Sequence, residues 1–281
     1  MKTRIWGFAA TAALAALVAV PASAHRQWML PSSTVLSGDD VWVTVDAAVS
    51  NDLFYFEHQP LRLDAMKAWA PDGSEAAIEN KATGRYRSTF DVHLTKKGTW
   101  RIGSATDMLM GSYQLAGKTE RLPRGTTAAN LAERLPAGAT NVQTAEANNR
   151  NEIFVTVGEP TTNLFVPTGK GIEFVPVTHP NDLFSGEAAT FQFLLDGKPT
   201  AGLPVTIIPG GIRYRDQLGQ MDLTTDAEGK VEVTWPEPGM YWVNVTTPRA
   251  ERDEDDGPGE GAPAAPQRRA SYVTTLEVMA P

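Results

Sequence analysis

From residue 41 onward the chain is built of short runs that alternate apolar and polar residues, cut at close intervals by Gly, Pro and Asp. The runs cover 41–45, 53–57, 86–94 and 99–102, with Ser37-Gly38-Asp39-Asp40, Pro71-Asp72-Gly73 and Lys96-Lys97-Gly98 between them. A period of two places one face in a core and the other in water, and the breaks carry turn chemistry. Long helical patterns between strands, as an α/β domain needs, are missing, so the expected class is all-β, a sandwich. One short helix is expected at 127–135, capped by Thr126 or Thr127 and stopped by Pro136. It falls inside a polar excursion, 118–149, that reads as a surface lobe on the first domain.

Strand pattern resumes at 152–157 and ends at Gly158-Glu159-Pro160. A second set of strands follows at 172–177, 188–195, 203–208, 230–235, 240–245 and 272–278, with Asp196-Gly197-Lys198-Pro199 and Asp226-Ala227-Glu228-Gly229 as turns. The reading is therefore two sandwich domains, 25–160 and 169–281. Within the second, 249–269 carries Glu251, Asp253, Glu254, Asp255, Asp256 and Glu260 among glycines and prolines, and reads as a disordered, solubilising acidic loop.

The first 24 residues are expected to be a signal peptide. Lys2 and Arg4 precede an apolar run, 5–20, that ends in Pro21 and Ala22-Ser23-Ala24, an A-x-A cleavage pattern. Cleavage after Ala24 leaves 257 of the 281 residues, and takes away two of the 25 basic groups against 33 acidic ones, so the net charge moves from −8 to −10. That balance, with no basic stretch, argues against nucleic acid as a partner. The segment after the signal is too polar for a membrane anchor.

The chain has four histidines and no cysteine, which removes disulfides, thiolate metal sites and cysteine nucleophiles. Neither a G-x-S-x-G elbow, a phosphate loop, an H-E-x-x-H pair nor an EF-hand loop is present. The histidines carry what remains. Processing after Ala24 makes His25 the first residue, with a free amine beside an imidazole. Both can be neutral nitrogen ligands near neutral pH and close a chelate ring on Cu(II), Ni(II) or Zn(II). A further histidine would complete a T-shaped nitrogen site of the histidine-brace kind. His58 follows the aromatic run 53–57, His179 sits in Thr178-His179-Pro180-Asn181-Asp182, and His93 alternates with Phe90, Val92 and Leu94. The candidate metal ligands are His25, His58 and His179, with Glu57 or Asp52 orienting an imidazole. A surface or hydrogen-bonded role is the alternative for each histidine. Met29, Met108, Met110 and the aromatic residues read first as core.

The stretch Gly171-Ile172-Glu173-Phe174-Val175-Pro176-Val177-Thr178-His179-Pro180-Asn181-Asp182-Leu183, with Pro209-Gly210-Gly211, Thr225-Asp226-Ala227-Glu228-Gly229 and Pro238-Gly239-Met240-Tyr241-Trp242, resembles the DUF4198 family of exported proteins. Members often begin, as here, with Ala-His and a Trp-x-x-Pro stretch (Trp28 to Pro31), and the resemblance spans nearly the whole processed chain. It implies a periplasmic protein with Ig-like or carboxypeptidase-regulatory-like β-sandwich domains, associated with nickel or cobalt uptake and found near TonB-dependent receptors. It implies no catalytic residue set.

Three readings follow. The first is a soluble periplasmic accessory that binds a nickel, cobalt or copper ion or its complex and works with a TonB-dependent receptor or an inner-membrane transport component. The second is a metal-free module that docks such a receptor or a polymer. The third is a copper redox enzyme built on the same brace.

Overall fold

A computed structural model of the protein describes residues 25–248 and 267–281. The expected signal peptide, 1–24, and residues 249–266 of the expected acidic loop lie outside the described residues.

In chain order the first half contains β1 (Arg26–Pro31), β2 (Val35–Leu36), β3 (Trp42–Ser50), β4 (Gln59–Pro60), β5 (Lys67–Trp69), β6 (Glu75–Ala76), β7 (Glu79–Thr83), β8 (Ser88–His93), β9 (Gly98–Leu115), β10 (Lys118–Arg121), α1 (Leu131–Arg134) and β11 (Thr140–Val157). The second half contains β12 (Ile172–Pro176), β13 (Ala188–Leu195), β14 (Lys198–Pro199), β15 (Pro204–Pro209), a 3-10 turn at Ile212–Tyr214, β16 (Met221–Thr224), β17 (Lys230–Thr234), β18 (Gly239–Thr246) and β19 (Arg269–Val278). Among the described residues the chain is all-β, built as β-sandwich layers, with one single-turn α-helix.

Three sheets hold these strands. The first has the order β1-β3-β8-β7, with β4 also on β3. The third is β12-β13-β14, with β17 on β13. Between them lies one ten-stranded sheet, β16-β15-β18-β19-β11-β9-β5-β6, with β10 on β9 and β2 on β11. Its two halves meet at the parallel pair β11–β19, in register from Ala147↔Arg269 to Glu152↔Thr274. Parallel neighbours require a crossover, and here the crossover is the rest of the second sandwich.

The period-two alternation decides which layer covers which face. Along β11, Ile153, Val155 and Val157 turn to one side, where Trp100 and Ile102 of β9 meet Val43, Val45, Phe90 and Val92 of the first sheet. Phe154 turns to the other side and joins Phe174, Phe191 and Phe193 of the third sheet, together with Tyr241, Val243, Tyr272 and Leu276. The first and third sheets thus cover opposite faces of the shared sheet. Each fully buried Val, Ile, Leu or Phe in these cores contributes about 1.5–3 kcal/mol, so the layers are held by packing more than by local propensity. A third, smaller core (Trp28, Ala48, Leu53, Ile208, Trp242, Val273) ties the first sheet to strands of the second sandwich.

Three local expectations change. Residues 53–57 do not form a strand: Phe54 has φ 62°, a left-handed turn conformation, and Leu53 is buried in the junction core. The loop trades strand pairing for the burial of its apolar side chains. The polar excursion 118–149 is in large part the outer half of a ribbon, because β9 and β11 are 18 residues each and stay paired from Gly98↔Val157 out to Gln114↔Thr140. The helix is shorter than 127–135. Ahead of it Thr127 and Asn130 exchange side-chain-to-backbone hydrogen bonds of 2.7 and 3.3 Å, a reciprocal arrangement of the capping-box kind.

Candidate metal centre

His25 directly precedes β1 and His58 directly precedes β4, and both strands pair with the end of β3: Arg26 faces Ser50, and Gln59 faces Val49. The loop between, 51–58, is clamped from several sides. Trp28 Nε1 donates to Ser50 Oγ (2.8 Å), which donates to Asp52 O (2.6 Å). One carboxylate oxygen of Glu57 accepts from the backbone N–H of Asn51 (2.8 Å) and Asp52 (3.0 Å), and Arg26 donates to Asn51 O (2.8 Å). Trp28 packs against Phe54 edge-on at 5.5 Å and against Phe56 at 5.6 Å. From the second sandwich, Arg213 lies over the Tyr55 ring at 3.6 Å and within 3.9 Å of Asp52.

This clamp brings the two imidazoles together: the rings of His25 and His58 stack with centroids 3.7 Å apart and planes 8° from parallel. Both side chains are exposed. Nitrogens bound on opposite sides of one ion at about 2.0–2.1 Å each are about 4 Å apart, so the pair is within reach of a common ion. Turning two ring nitrogens onto that ion requires rotation about the side-chain torsions, which exposure leaves free. No cluster of three or more His, Cys, Asp or Glu exists among the described residues. Glu57 is engaged with loop backbone and Asp52 with Arg213, so neither carboxylate orients an imidazole as expected.

His179 is not brought to this pair. Its Nδ1 accepts from Asn181 N–H (3.1 Å), which places the proton on Nε2, facing Thr161 O (3.2 Å) and Thr99 Oγ1 (2.9 Å). Thr99 Oγ1 is 3.0 Å from Thr156 Oγ1, which donates to Asn181 Oδ1 (2.9 Å). Thr156 N–H in turn donates to Thr34 O, just past the far end of β1 from His25. The six residues of β1 put about 20 Å between the two places. Both nitrogens of His179 are used in joining the shared sheet to the 178–182 turn. Burial pushes its pKa below the usual value, opposed in part by Thr161 O and Asp182.

The unfolded chain therefore takes up this proton first as pH falls. The neutral histidine's contribution to stability is full above about 6.5 and declines as pH drops from there toward the folded pKa. Measured as urea midpoints at about pH 7.5 and about pH 5.5, the acid-side loss is expected to be smaller in His179→Gln than in the parent. An equal loss in both would remove His179 from the account. His93 is also separate, stacked on Trp42 at 4.3 Å with Nε2 2.9 Å from Asp40 Oδ1.

Sequence reasoning missed Arg26, Trp28 and Arg213 as the parts that shape the loop. One local signal points to the contact: a Cβ on Gly210 would stand 2.8 Å from Phe54 Cδ2, so Pro209-Gly210-Gly211 is glycine-bearing where the loop presses on it. Among the described residues no helix is long and apolar enough to cross a membrane.

A family model described as "Domain of unknown function (DUF4198)" matches residues 22–249. No curated protein matches the chain. Among solved structures, the D0–D1 domains of intimin align over 89% of this chain and 97% of theirs at 13% identity, with a TM-score of 0.21. A DUF4785 family protein from Legionella pneumophila aligns over 78% of this chain and 50% of its own at 7% identity, with a TM-score of 0.22.

Proposed function

The chain belongs to the DUF4198 family, and from that premise we propose that it is a periplasmic accessory protein that binds a divalent nickel, cobalt or copper ion, or its complex, and serves an envelope transport system. The observation that carries this reading is the stacking of His25 on His58 at 3.7 Å, two histidines separated in sequence and set side by side by a clamped loop. His25 supplies its amine and one ring nitrogen, and His58 supplies the third donor. Such nitrogen donors suit Cu(II) and Ni(II) ahead of harder ions. Arg26 and Trp28 hold the donors in place.

The test is a calorimetric titration of Cu(II) and Ni(II) into the chain processed to begin at His25, beside a chain that retains Ala24. The processed chain is expected to bind one ion with a Kd below about 1 μM, and retention of Ala24 to weaken it about a hundredfold. The second figure follows from sharing about 10–16 kcal/mol of binding energy among four ligands. Equal affinity in the two chains, or no saturable site, would sink the proposal.

A metal-free docking module is the second reading. It is favoured by the side chains beside the same loop: Tyr214 is 90% exposed and Tyr55 40% exposed, next to Arg213. Tyr and Arg are over-represented at binding hot spots. A silent metal titration, with capture of an outer-membrane receptor that Tyr214→Ala abolishes, would favour this reading over the first.

A further inference from the structure

On the face of the shared sheet opposite the first sheet, charge is buried in quantity. Arg101 of β9 shares this face with its partner Phe154, as do Arg150 and Glu152 of β11, and Glu173 of β12 packs beside them. Glu173 is saturated, accepting from Thr168 N (2.6 Å), Thr168 Oγ1 (2.6 Å) and Gly169 N (2.8 Å), with Arg150 at 3.6 Å. Arg150 donates to Glu152 (3.1 Å) and to Thr168 Oγ1 (3.2 Å). Arg101 is different. Its side chain is 17% exposed, its NH1 donates to Leu164 O (3.2 Å), and its Nε is buried without a hydrogen-bond partner, 3.9 Å from the nearest Glu152 oxygen. The guanidinium lies over Trp69 at 4.5 Å.

Arg101, Trp69, Arg150 and Lys170 are part of the wall of a cavity of about 270 Å³, placed where the linker between β11 and β12 crosses the shared sheet. That is room for roughly nine waters' worth of a guest, the size of a small organic molecule, in the kind of inter-domain crevice that ligands favour. Three cations, Arg101, Arg150 and Lys170, line it against two acids, Asp107 and Glu152. Lys170 is paired with Asp107 (2.8 Å) and Arg150 with Glu152 and Glu173, which leaves Arg101, 3.9 Å from Glu152, as the cation of this wall without a close carboxylate. An arginine that is mostly buried and short of acceptors calls for an anion, and its planar fork matches a carboxylate. Glu152 and Asp107 in the same wall oppose a doubly charged guest.

We propose that this cavity binds a small molecule bearing one carboxylate, held by the Arg101 guanidinium with its apolar part toward Trp69. The site is separate from the histidine pair and stands or falls independently of the metal reading.

Calorimetric titration of the processed full chain with sodium propionate and sodium benzoate, in a chloride buffer of matched ionic strength, tests it. One saturable site per chain is expected in the millimolar range or tighter. Arg101→Lys, which keeps the charge and loses the fork, is expected to weaken it about tenfold or more, with the urea midpoint confirming a folded variant. Where Arg101→Lys does not fold, Lys170→Gln at the rim takes its place and is expected to weaken binding several-fold. Absence of saturable binding, unchanged affinity in a folded variant, or tighter binding of inorganic phosphate than of either carboxylate would each overturn the proposal.

Discussion

Trp28→Ala is expected to lower the stability of the chain by about 3–5 kcal/mol, the range for truncating a fully buried aromatic residue. Trp28 is 0% exposed and lies in the junction core, where β1 meets Ile208, Trp242 and Val273 of the second sandwich. Its removal opens a cavity that three elements would have to close together. It also leaves Ser50 Oγ without its donor and takes away the surface on which Phe54 and Phe56 rest. The 51–58 loop then loses its clamp, so the metal affinity proposed for the histidine pair is expected to fall although His25 and His58 are both intact. Trp28→Phe keeps most of the volume and the ring contacts, loses one hydrogen bond, and should cost about 1 kcal/mol. Urea denaturation of the two variants measures this. A Trp28→Ala midpoint close to that of the parent would show that the junction core does not couple the two sandwiches.

Arg150→Met should cost a similar amount, about 3–5 kcal/mol, for an electrostatic reason. Arg150 stands between Glu152 and Glu173, whose side chains are only 7% and 4% exposed. Burial works against the charge on Arg150, but Glu152 first, with Tyr272 and Glu173, outweighs it and holds the guanidinium pKa above its ordinary value. The neutral methionine fills much of the same space, so the loss reports the uncompensated carboxylates rather than a cavity. Combining it with Glu173→Gln removes one of those charges, and the double variant is expected to recover part of the loss, a coupling that a double-mutant cycle reads directly. A single-variant loss below about 1 kcal/mol would mean that the network behaves like a surface ion pair.

Where one face meets a core and the other meets water, the pattern was readable. The runs at 41–45, 86–94, 188–195 and 230–235 lie on or beside β3, β8, β13 and β17 because each alternates against a single core. The outer half of β9, where Asp107, Met108, Leu109 and Met110 sit, is solvated or half-solvated on both faces, so its strand shows no clean alternation. The run 53–57 misled in the opposite sense. Leu53 is buried and Phe54 and Phe56 are half-buried, by packing on Trp28 and on the Gly210 turn in the other half of the chain, which no local pattern can encode. The histidines divide in the same way. His179 and His58 look alike in sequence, each following an expected strand. The structure engages both nitrogens of the first and leaves the second exposed against His25.

The sequence by itself determined the fold class and removed thiolates from the ligand chemistry open to the chain. Those follow from period-two patterning, turn residues and the absence of cysteine, all of them local or compositional. Tertiary structure alone decided that the sandwiches share one sheet through the parallel β11–β19 pair, which histidines meet, and where buried charge surrounds a cavity. Each of these depends on residues far apart in the chain meeting across layers. Long-range packing of that kind is specified by the whole set of apolar faces together and by no single segment.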